Sequence, residues 1–173
     1  MIRSEAVDAP LQTLLLERNG WVPNNPRLRV LIYIKAIAAK GKDPAALFEQ
    51  IFSAHGWPPQ WRDGVYDYHH YHTQGHEVLG IARGYARLML GGPDGRVLEV
   101  SDGDVLLLPA GTGHCNIESS DDFLVVGAYP PGQHADICRE APNPAKLANI
   151  DKLPFPGQDP VQGPHGALNR YWL

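Results

Sequence analysis

The sequence has few cysteines, no cluster of basic residues and no long apolar segment, and each of these absences narrows the possibilities. Cys115 and Cys138 could pair in an oxidising compartment, but residues 1–10 lack a signal-peptide core, which favours free thiols. The 15 Lys and Arg are scattered and the net charge is -4, so no basic face is available for nucleic-acid phosphates. No apolar run approaches the ~20 residues of a membrane helix. We therefore expect a cytoplasmic protein with neither nucleic acid nor membrane as a partner.

What the sequence does contain is enough apolar material for a core. Its 173 residues fit one domain, and 43% of them are hydrophobic. The 18 Gly and 16 Pro are scattered rather than periodic, which is typical of short elements joined by turns. We divide this single domain into an N-terminal strand and helix extension (1–60), a central barrel region (61–130) and a Pro-rich C-terminal segment (131–173).

Short strands bounded by Gly, Pro or Asp recur about every ten residues through much of the chain. Such spacing is typical of an all-β sandwich or barrel. A glycine-rich stretch at 91–95 supplies the positive backbone angles of a hairpin turn. The predicted strands span residues 29–34, 65–71, two runs within 78–90, 97–100, 105–108 and 123–129.

One helix is predicted ahead of the central region. Asp43 suits the N-cap, Pro44 suits the first helical position, and Gly56 lies just past the end. The chain beyond residue 142 is expected to run irregularly along the outside of the barrel until residues 167–173, which could form a last strand. Four apolar residues share one face of the helix, which should pack on a sheet: Leu47, Phe48, Ile51 and Phe52.

Histidines are concentrated where strands are predicted to begin. Alternate side chains of a strand share a face, so His70 and His72 should point the same way. Glu77 follows after a short turn, which would bring a carboxylate back toward the same point. His114, after a glycine-rich turn, is the candidate for a fourth ligand. These three histidines and one glutamate together indicate a metal site.

The spacing of these residues resembles the two motifs of the cupin superfamily. Longer phrases, among them His-Glu-Val-Leu-Gly and Gly-Ala-Tyr-Pro, are similar to the bacterial YjlB-like single-domain cupins. The resemblance implies an all-β, double-stranded β-helix (jelly-roll) barrel with one divalent transition-metal ion on His70, His72, Glu77 and His114. The motifs run from Gly64 through His70-Tyr71-His72 and Glu77 to Gly84, and from Gly103 through Pro109-Ala110-Gly111 to His114.

Two further residues are candidates for the pocket wall. The second motif usually ends on Asn, whereas this chain has Glu118, which shares a face with His114 if the strand is regular. Tyr68 shares parity with His70, as does Tyr66, and both tyrosines are equally well explained as core aromatics. We take Tyr68 and Glu118 as the expected lining residues.

The remaining histidines have simpler explanations. His69 and His76 have the wrong parity for the site and are expected on the surface or behind the ligands. His76-Glu77 begins a His-Glu-x-x-His zinc signature, but Gly80 occupies the second histidine position, so that interpretation fails. Ordinary hydrogen-bonded side chains are expected for His55, His134 and His165.

Three imidazoles and one carboxylate suit Fe(II), Mn(II), Ni(II), Co(II) or Zn(II) better than Mg or Ca. Octahedral coordination would leave two positions open to a ligand. The alternative at this point is a cupin that has kept its ligands but binds no metal. A closed structural zinc site would normally use cysteine thiolates, and neither cysteine is at a ligand position.

Two functions remain open from the sequence. The leading hypothesis is a metal-dependent enzyme of the oxygenase, isomerase or lyase type that acts on a small polar metabolite. The alternative is a non-catalytic metal-dependent protein that binds or senses a small molecule, and turnover would separate the two. A homodimer is expected, because small barrels expose sheet edges, and the strand at 30–34 could add to a partner's sheet.

Overall fold

The computed structural model describes residues 10–173. The expectation that residues 1–10 lack a signal-peptide core therefore concerns residues that lie, except for residue 10, outside the described part. Within them the chain forms nine strands and three helices. In chain order they are β1 (Leu11–Leu14), β2 (Val30–Tyr33), α1 (Pro44–Ala54), β3 (Pro59–Asp63), β4 (Glu77–Arg83), β5 (Tyr85–Leu90), β6 (Arg96–Ser101), β7 (Val105–Leu108), β8 (His114–Ser119), β9 (Leu124–Ala128), α2 (Pro144–Lys152) and α3 (Ala167–Tyr171).

The strands form two antiparallel sheets. The larger sheet has the order β1-β2-β7-β4-β9-β3, and the smaller sheet has the order β6-β5-β8. Outside the named strands, His70 pairs with His114, the first residue of β8. The all-β fold class predicted from the sequence is confirmed, as is the helix that precedes the central strands.

Alternation along the strands divides the apolar residues of the larger sheet between two cores. In β4, Leu79 and Ile81 face the smaller sheet and pack with Leu88 of β5. Val78 and its neighbours on the other face pack against α1 and the C-terminal segment. Glu77 has the same parity as Leu79 and Ile81, so the pleat directs its carboxylate between the sheets.

Helix α1 covers the outer face of the larger sheet through Phe48 and Phe52, which are both fully buried. Burial of two such side chains contributes roughly 2–3 kcal/mol each. The helix approaches β4 closely because residue 80 is glycine. A Cβ on Gly80 would lie 2.4 Å from Cδ1 of Phe48, which is too close for two carbon atoms that are not bonded to each other. The glycine that rules out a second zinc-binding histidine thus has a packing role.

Three sequence expectations were wrong. Residues 65–71 form no regular strand; β3 ends at Asp63, and the chain then runs irregularly to the bridge at His70. The tail beyond residue 142 contains α2, which Asn143 caps by accepting a hydrogen bond from the backbone N–H of Lys146. Residues 167–171 form the helix α3 rather than a strand.

The edge of the larger sheet also differs from the expectation. β2 lies inside the sheet, paired with β1 on one side and β7 on the other, so it has no free edge to offer a partner chain. Among the described residues, β1 and β3 are the edge strands of the larger sheet.

No helix in the described part of the chain is long and apolar enough to cross a membrane.

His76 joins the C-terminal segment to the barrel. Its Nδ1 accepts a hydrogen bond from the backbone N–H of Ala110 (2.9 Å), and its Nε2 donates to the carbonyl of Leu153 (3.2 Å). The ring packs against Phe155 and Trp172. Burial lowers the pKa of His76 from 6.5 to about 4. The residue is therefore fully buried and structural, not a surface group.

The first prediction concerns this histidine. The unfolded chain takes up a proton on His76 below about pH 6.5, whereas the folded protein resists it down to about pH 4, so folding is disfavoured as the pH falls between those values. We compare the free energy of unfolding of the wild type with that of His76→Gln. As the pH falls from 6.5 to 4, the difference in favour of the wild type should shrink by roughly 3 kcal/mol, because each pKa unit corresponds to about 1.4 kcal/mol. Urea denaturation at a series of pH values measures it, and a pH-independent difference would contradict the assignment.

Candidate metal centre

The candidate ligands come from three neighbouring parts of the fold. His70 and His114 lie opposite each other and exchange backbone hydrogen bonds of 3.2 and 2.9 Å. His72 is fixed two residues later, because its carbonyl accepts the backbone N–H of Gly111 (2.7 Å). Glu77 is the first residue of β4. The structure thus brings together all four residues that the sequence singled out.

The side chains converge on one point. One nitrogen from each of His70, His72 and His114 lies within 4.8 Å of the other two. Oε1 of Glu77 lies 3.4 Å from Nε2 of His72 and 3.4 Å from Nε2 of His114. All four residues are buried, with 2–5% of their surface exposed. A cluster this compact has the size of one coordination sphere.

Backbone carbonyls orient all three imidazoles in the same way. Nδ1 of His70 lies 2.9 Å from the carbonyl of Tyr68, Nδ1 of His72 lies 2.7 Å from that of Asp136, and Nδ1 of His114 lies 3.0 Å from that of Thr112. A carbonyl can only accept, so each Nδ1 carries a proton, and the neutral form of each ring then has its lone pair on Nε2. Such outer hydrogen bonds are typical of metal-binding histidines.

Glu77 is held from the opposite side. Its Oε2 accepts a hydrogen bond from the hydroxyl of Tyr129 (2.7 Å), and that hydroxyl accepts one from Nε1 of Trp61 (2.8 Å). Oε1, in contrast, is buried without a hydrogen-bond partner among the described residues. A buried polar atom without a partner is costly, so this oxygen calls for a cation.

Burial and charge set the protonation of the cluster. Burial, assisted by the nearby His114, lowers the pKa of His70 to about 3 and keeps this imidazole neutral. Burial acts the same way on His72, but the Glu77 carboxylate outweighs it and raises the pKa of His72. Burial would raise the pKa of Glu77, yet His72 and His114 hold it well below its usual range. The carboxylate is thus ionised and attracts positive charge.

The four residues border a partly open cavity of about 500 Å³. Leu79 and Tyr129 contribute to the wall near the cluster, and Gln60, Asp63 and His134 also line the cavity. A volume of this size accommodates a small organic molecule. The cluster can therefore be reached by a ligand.

The two expected lining residues do not lie on this wall. Glu118 pairs with Arg87 (3.4 Å), and its side chain is 62% exposed. The register slips between Arg87 and Leu88, so that Ile117 is an extra residue in β8 and the regular alternation from His114 ends. Tyr68 stacks on Tyr66, and it is Tyr66 that borders the cavity.

Two supporting residues were missed in the sequence. Tyr129 fell inside a predicted strand, although the Gly-Ala-Tyr-Pro phrase that contains it was noted as a family feature. Asp136 showed no signal at all, because it reaches the site from a loop distant in sequence. Its carboxylate accepts the backbone N–H groups of Thr73 and Gln74, which fixes the turn between His72 and Glu77.

The other expectations for single residues can be compared directly. His55 is a hydrogen-bonded side chain, as expected, with its Nδ1 2.9 Å from the carbonyl of Pro160. Cys115 and Cys138 are both free thiols.

The two sequence motifs that resemble those of the cupins meet at this site. The chain is 36% identical over 164 residues to the uncharacterized protein YjlB of Bacillus subtilis (strain 168), an alignment that covers 94% of this chain and 96% of that protein. The chain therefore belongs to the YjlB family. No family model matches it.

Solved structures that resemble the chain are more distant. Acireductone dioxygenase from Bacillus anthracis, with a cadmium ion in its active centre, is 17% identical with a TM-score of 0.39; the match covers 55% of this chain and 64% of that one. A cupin 2 domain-containing protein from Halorhodospira halophila is 16% identical with a TM-score of 0.29, covering 85% of this chain and 79% of that one.

The second prediction tests the support of Glu77. Tyr129→Phe removes the hydroxyl that joins Trp61 to Glu77 and leaves two buried polar atoms without this partner. The free energy of unfolding of the metal-free protein should fall by about 2 kcal/mol. Urea denaturation measures it, with Tyr66→Phe as the matched control, because the Tyr66 hydroxyl makes no hydrogen bond within the described residues. Equal effects of the two substitutions would contradict the assignment.

Proposed function

We propose that the chain binds one divalent transition-metal ion through His70, His72, Glu77 and His114, and that it is an enzyme acting on a small metabolite in the adjoining cavity. The observation that carries the proposal is the cluster of three imidazole nitrogens beside the unpartnered Oε1 of Glu77, which lies 3.4 Å from Nε2 of His72 and of His114. In the alternative, in which the ligands are kept without a metal, Oε1 would instead need a proton donor such as a protonated His72, whose Nε2 is 3.4 Å away.

The distances suit an ion at the centre of the cluster. Nitrogen and oxygen ligands lie roughly 2.0–2.2 Å from such metals, so two neighbouring ligands at angles of 90–110° are separated by about 3.0–3.5 Å. Glu77 Oε1 has this separation from two imidazole nitrogens. The mixed nitrogen and oxygen set supports Fe, Mn, Ni, Co or Zn rather than Mg or Ca.

When bound, such an ion supplies Lewis-acid chemistry, and with iron or another redox metal it also supplies oxygen chemistry. The residues of the chain then have separable roles. The carbonyls of Tyr68, Asp136 and Thr112 hold the imidazoles in the ligating tautomer. Tyr129 keeps the Glu77 carboxylate oriented. Because the protein offers four ligands and a cavity on one side, coordination positions are left for a small molecule.

A reaction of the oxygenase, isomerase or lyase type is the proposed activity. Metal-dependent reactions of these types use an open metal position beside a pocket, and the cavity of about 500 Å³ offers such a pocket. The second candidate function is non-catalytic binding or sensing of the same small molecule. It uses the same cluster, and it would be favoured by a ligand that binds the metal-loaded protein and is released unchanged.

The third prediction is the ligand set itself. Replacement of His70, His72, Glu77 or His114 by Ala should reduce bound metal from about one ion per chain by at least tenfold. The melting temperature in the presence of metal should fall as well, since an ion that binds only the folded state stabilises it. Elemental analysis after purification without a chelating tag measures the metal. His55→Ala, at a hydrogen-bonded histidine outside the cluster, should keep the full complement; stoichiometric metal in His72→Ala would refute the site.

The fourth prediction is the homodimer, which we propose through β1 rather than β2. The outer edge of Leu11–Leu14 has no paired strand among the described residues, and a second copy could complete it. Light scattering at micromolar concentration should give a mass near twice 19.0 kDa. Thr13→Pro, on this edge, should shift the mass toward the monomer, and a monomeric wild type would exclude the dimer.

A further inference from the structure

We infer that the cavity takes a ligand with a planar body that carries no negative charge and with an oxygen-chelating head, and that Tyr66 binds the planar body. The inference rests on the proposed function, because the chelating head needs the ion. It adds the chemical class of the ligand and names a specificity residue that lies outside the metal site.

The ring of Tyr66 borders the cavity, yet 52% of the residue is exposed. Single exposed aromatic residues are common on protein surfaces and need no explanation. Tyr66 differs because its ring is held in place. It stacks on Tyr68 with the ring centroids 4.9 Å apart and the planes 13° from parallel. The guanidinium of Arg139 lies over the Tyr68 ring, 3.9 Å from its centroid. Tyr68 and Arg139 therefore support Tyr66 from behind.

The backbone of Tyr66 is also fixed. Its carbonyl accepts the N–H of Asn116 in β8, with an N···O distance of 2.9 Å. This bond ties the irregular segment after β3 to the smaller sheet. The ring meets that of His70 edge-on, with the centroids 5.5 Å apart. A flat surface is thus held beside a metal ligand, within reach of a molecule bound at an open coordination position.

The rest of the wall matches a flat apolar body. Trp61, Val65, Leu79 and Ile137 supply apolar surface, and no Lys or Arg is among the residues that line the cavity. The charged lining residues outside the histidines are the carboxylates Asp63 and Glu77. A second anionic group on the ligand, remote from the ion, would find no cationic partner and would face Asp63. The planar body of the ligand is therefore not anionic.

Stacking between aromatic planes contributes about 0.5–1.5 kcal/mol beyond the burial of area, which a saturated ring of the same size cannot gain. This difference makes the inference measurable. Benzohydroxamate, cyclohexanecarbohydroxamate and acetohydroxamate share one chelating head and differ in the body attached to it. Titration calorimetry of the zinc-loaded full chain gives the three affinities.

The expected result is that benzohydroxamate binds about fivefold more tightly than the cyclohexane compound. Tyr66→Leu, which keeps an apolar side chain, should abolish this preference and leave the affinity for acetohydroxamate within about twofold. Tyr66→Phe should retain the preference, and Tyr85→Leu, at an exposed tyrosine outside the cavity, should not alter it. A para-carboxylate on the benzohydroxamate ring should weaken its binding.

The outcomes separate the two proposals. A ring preference that survives in Tyr66→Leu would overturn the assignment of Tyr66, even though the metal site stands. Equal affinities of the wild type for the benzene and cyclohexane compounds would overturn the planar ligand class. If acetohydroxamate itself does not bind while elemental analysis shows one zinc ion per chain, the ion has no open position. The proposed function is then wrong, and the present inference fails with it.

Discussion

Glu77 begins an interior strand of the larger sheet with its carboxylate enclosed by protein, and a buried carboxylate is stable only where partners satisfy both oxygens. Tyr129 satisfies Oε2, while Oε1 faces the imidazoles of His72 and His114. Backbone carbonyls fix those rings so that their lone pairs point inward. The divalent cation that we propose would satisfy the carboxylate and the lone pairs together. Strands of both sheets meet at this point, since Glu77 begins β4 and His114 begins β8.

The C-terminal segment takes part in holding the cluster. Asp136 contributes its carbonyl to His72 and its carboxylate to the turn before Glu77. Although burial opposes ionisation, the hydrogen bonds from Thr73 and neighbouring groups lower the pKa of Asp136, so the carboxylate remains charged near neutral pH. His76 ties the same segment, through Leu153, to the turn after β7, through Ala110. Loosening of this loop would therefore disturb the orientation of His72 without removing any ligand.

The sequence predicted those parts of the fold that depend on local patterns. Alternation and turn residues located most of the strands, and the cap at Asp43 with Pro44 located α1. The expectation that His70 and His72 point to the same site was correct, although the strand from which it was argued does not exist. His70 is instead held by its bridge to His114, and His72 by the hydrogen bond from Gly111 to its carbonyl. Glu118 was misplaced because a bulge at Ile117 interrupts the period of two. Asp136 and Tyr129 depend on contacts between distant segments, and no local pattern reports such contacts.

Anomalous diffraction tests directly whether one metal ion lies among the three histidines and Glu77. Crystals of the full chain are grown with the metal that elemental analysis identifies, and data are recorded on both sides of the absorption edge of that metal. We expect one dominant anomalous peak, about 2.1 Å from Nε2 of His70, His72 and His114 and from Oε1 of Glu77. We also expect an exposed side of the ion that faces the ring of Tyr66. A fully loaded protein whose peak lies elsewhere, or whose Glu77 carboxylate hydrogen-bonds to His72 with no ion between them, would contradict these expectations.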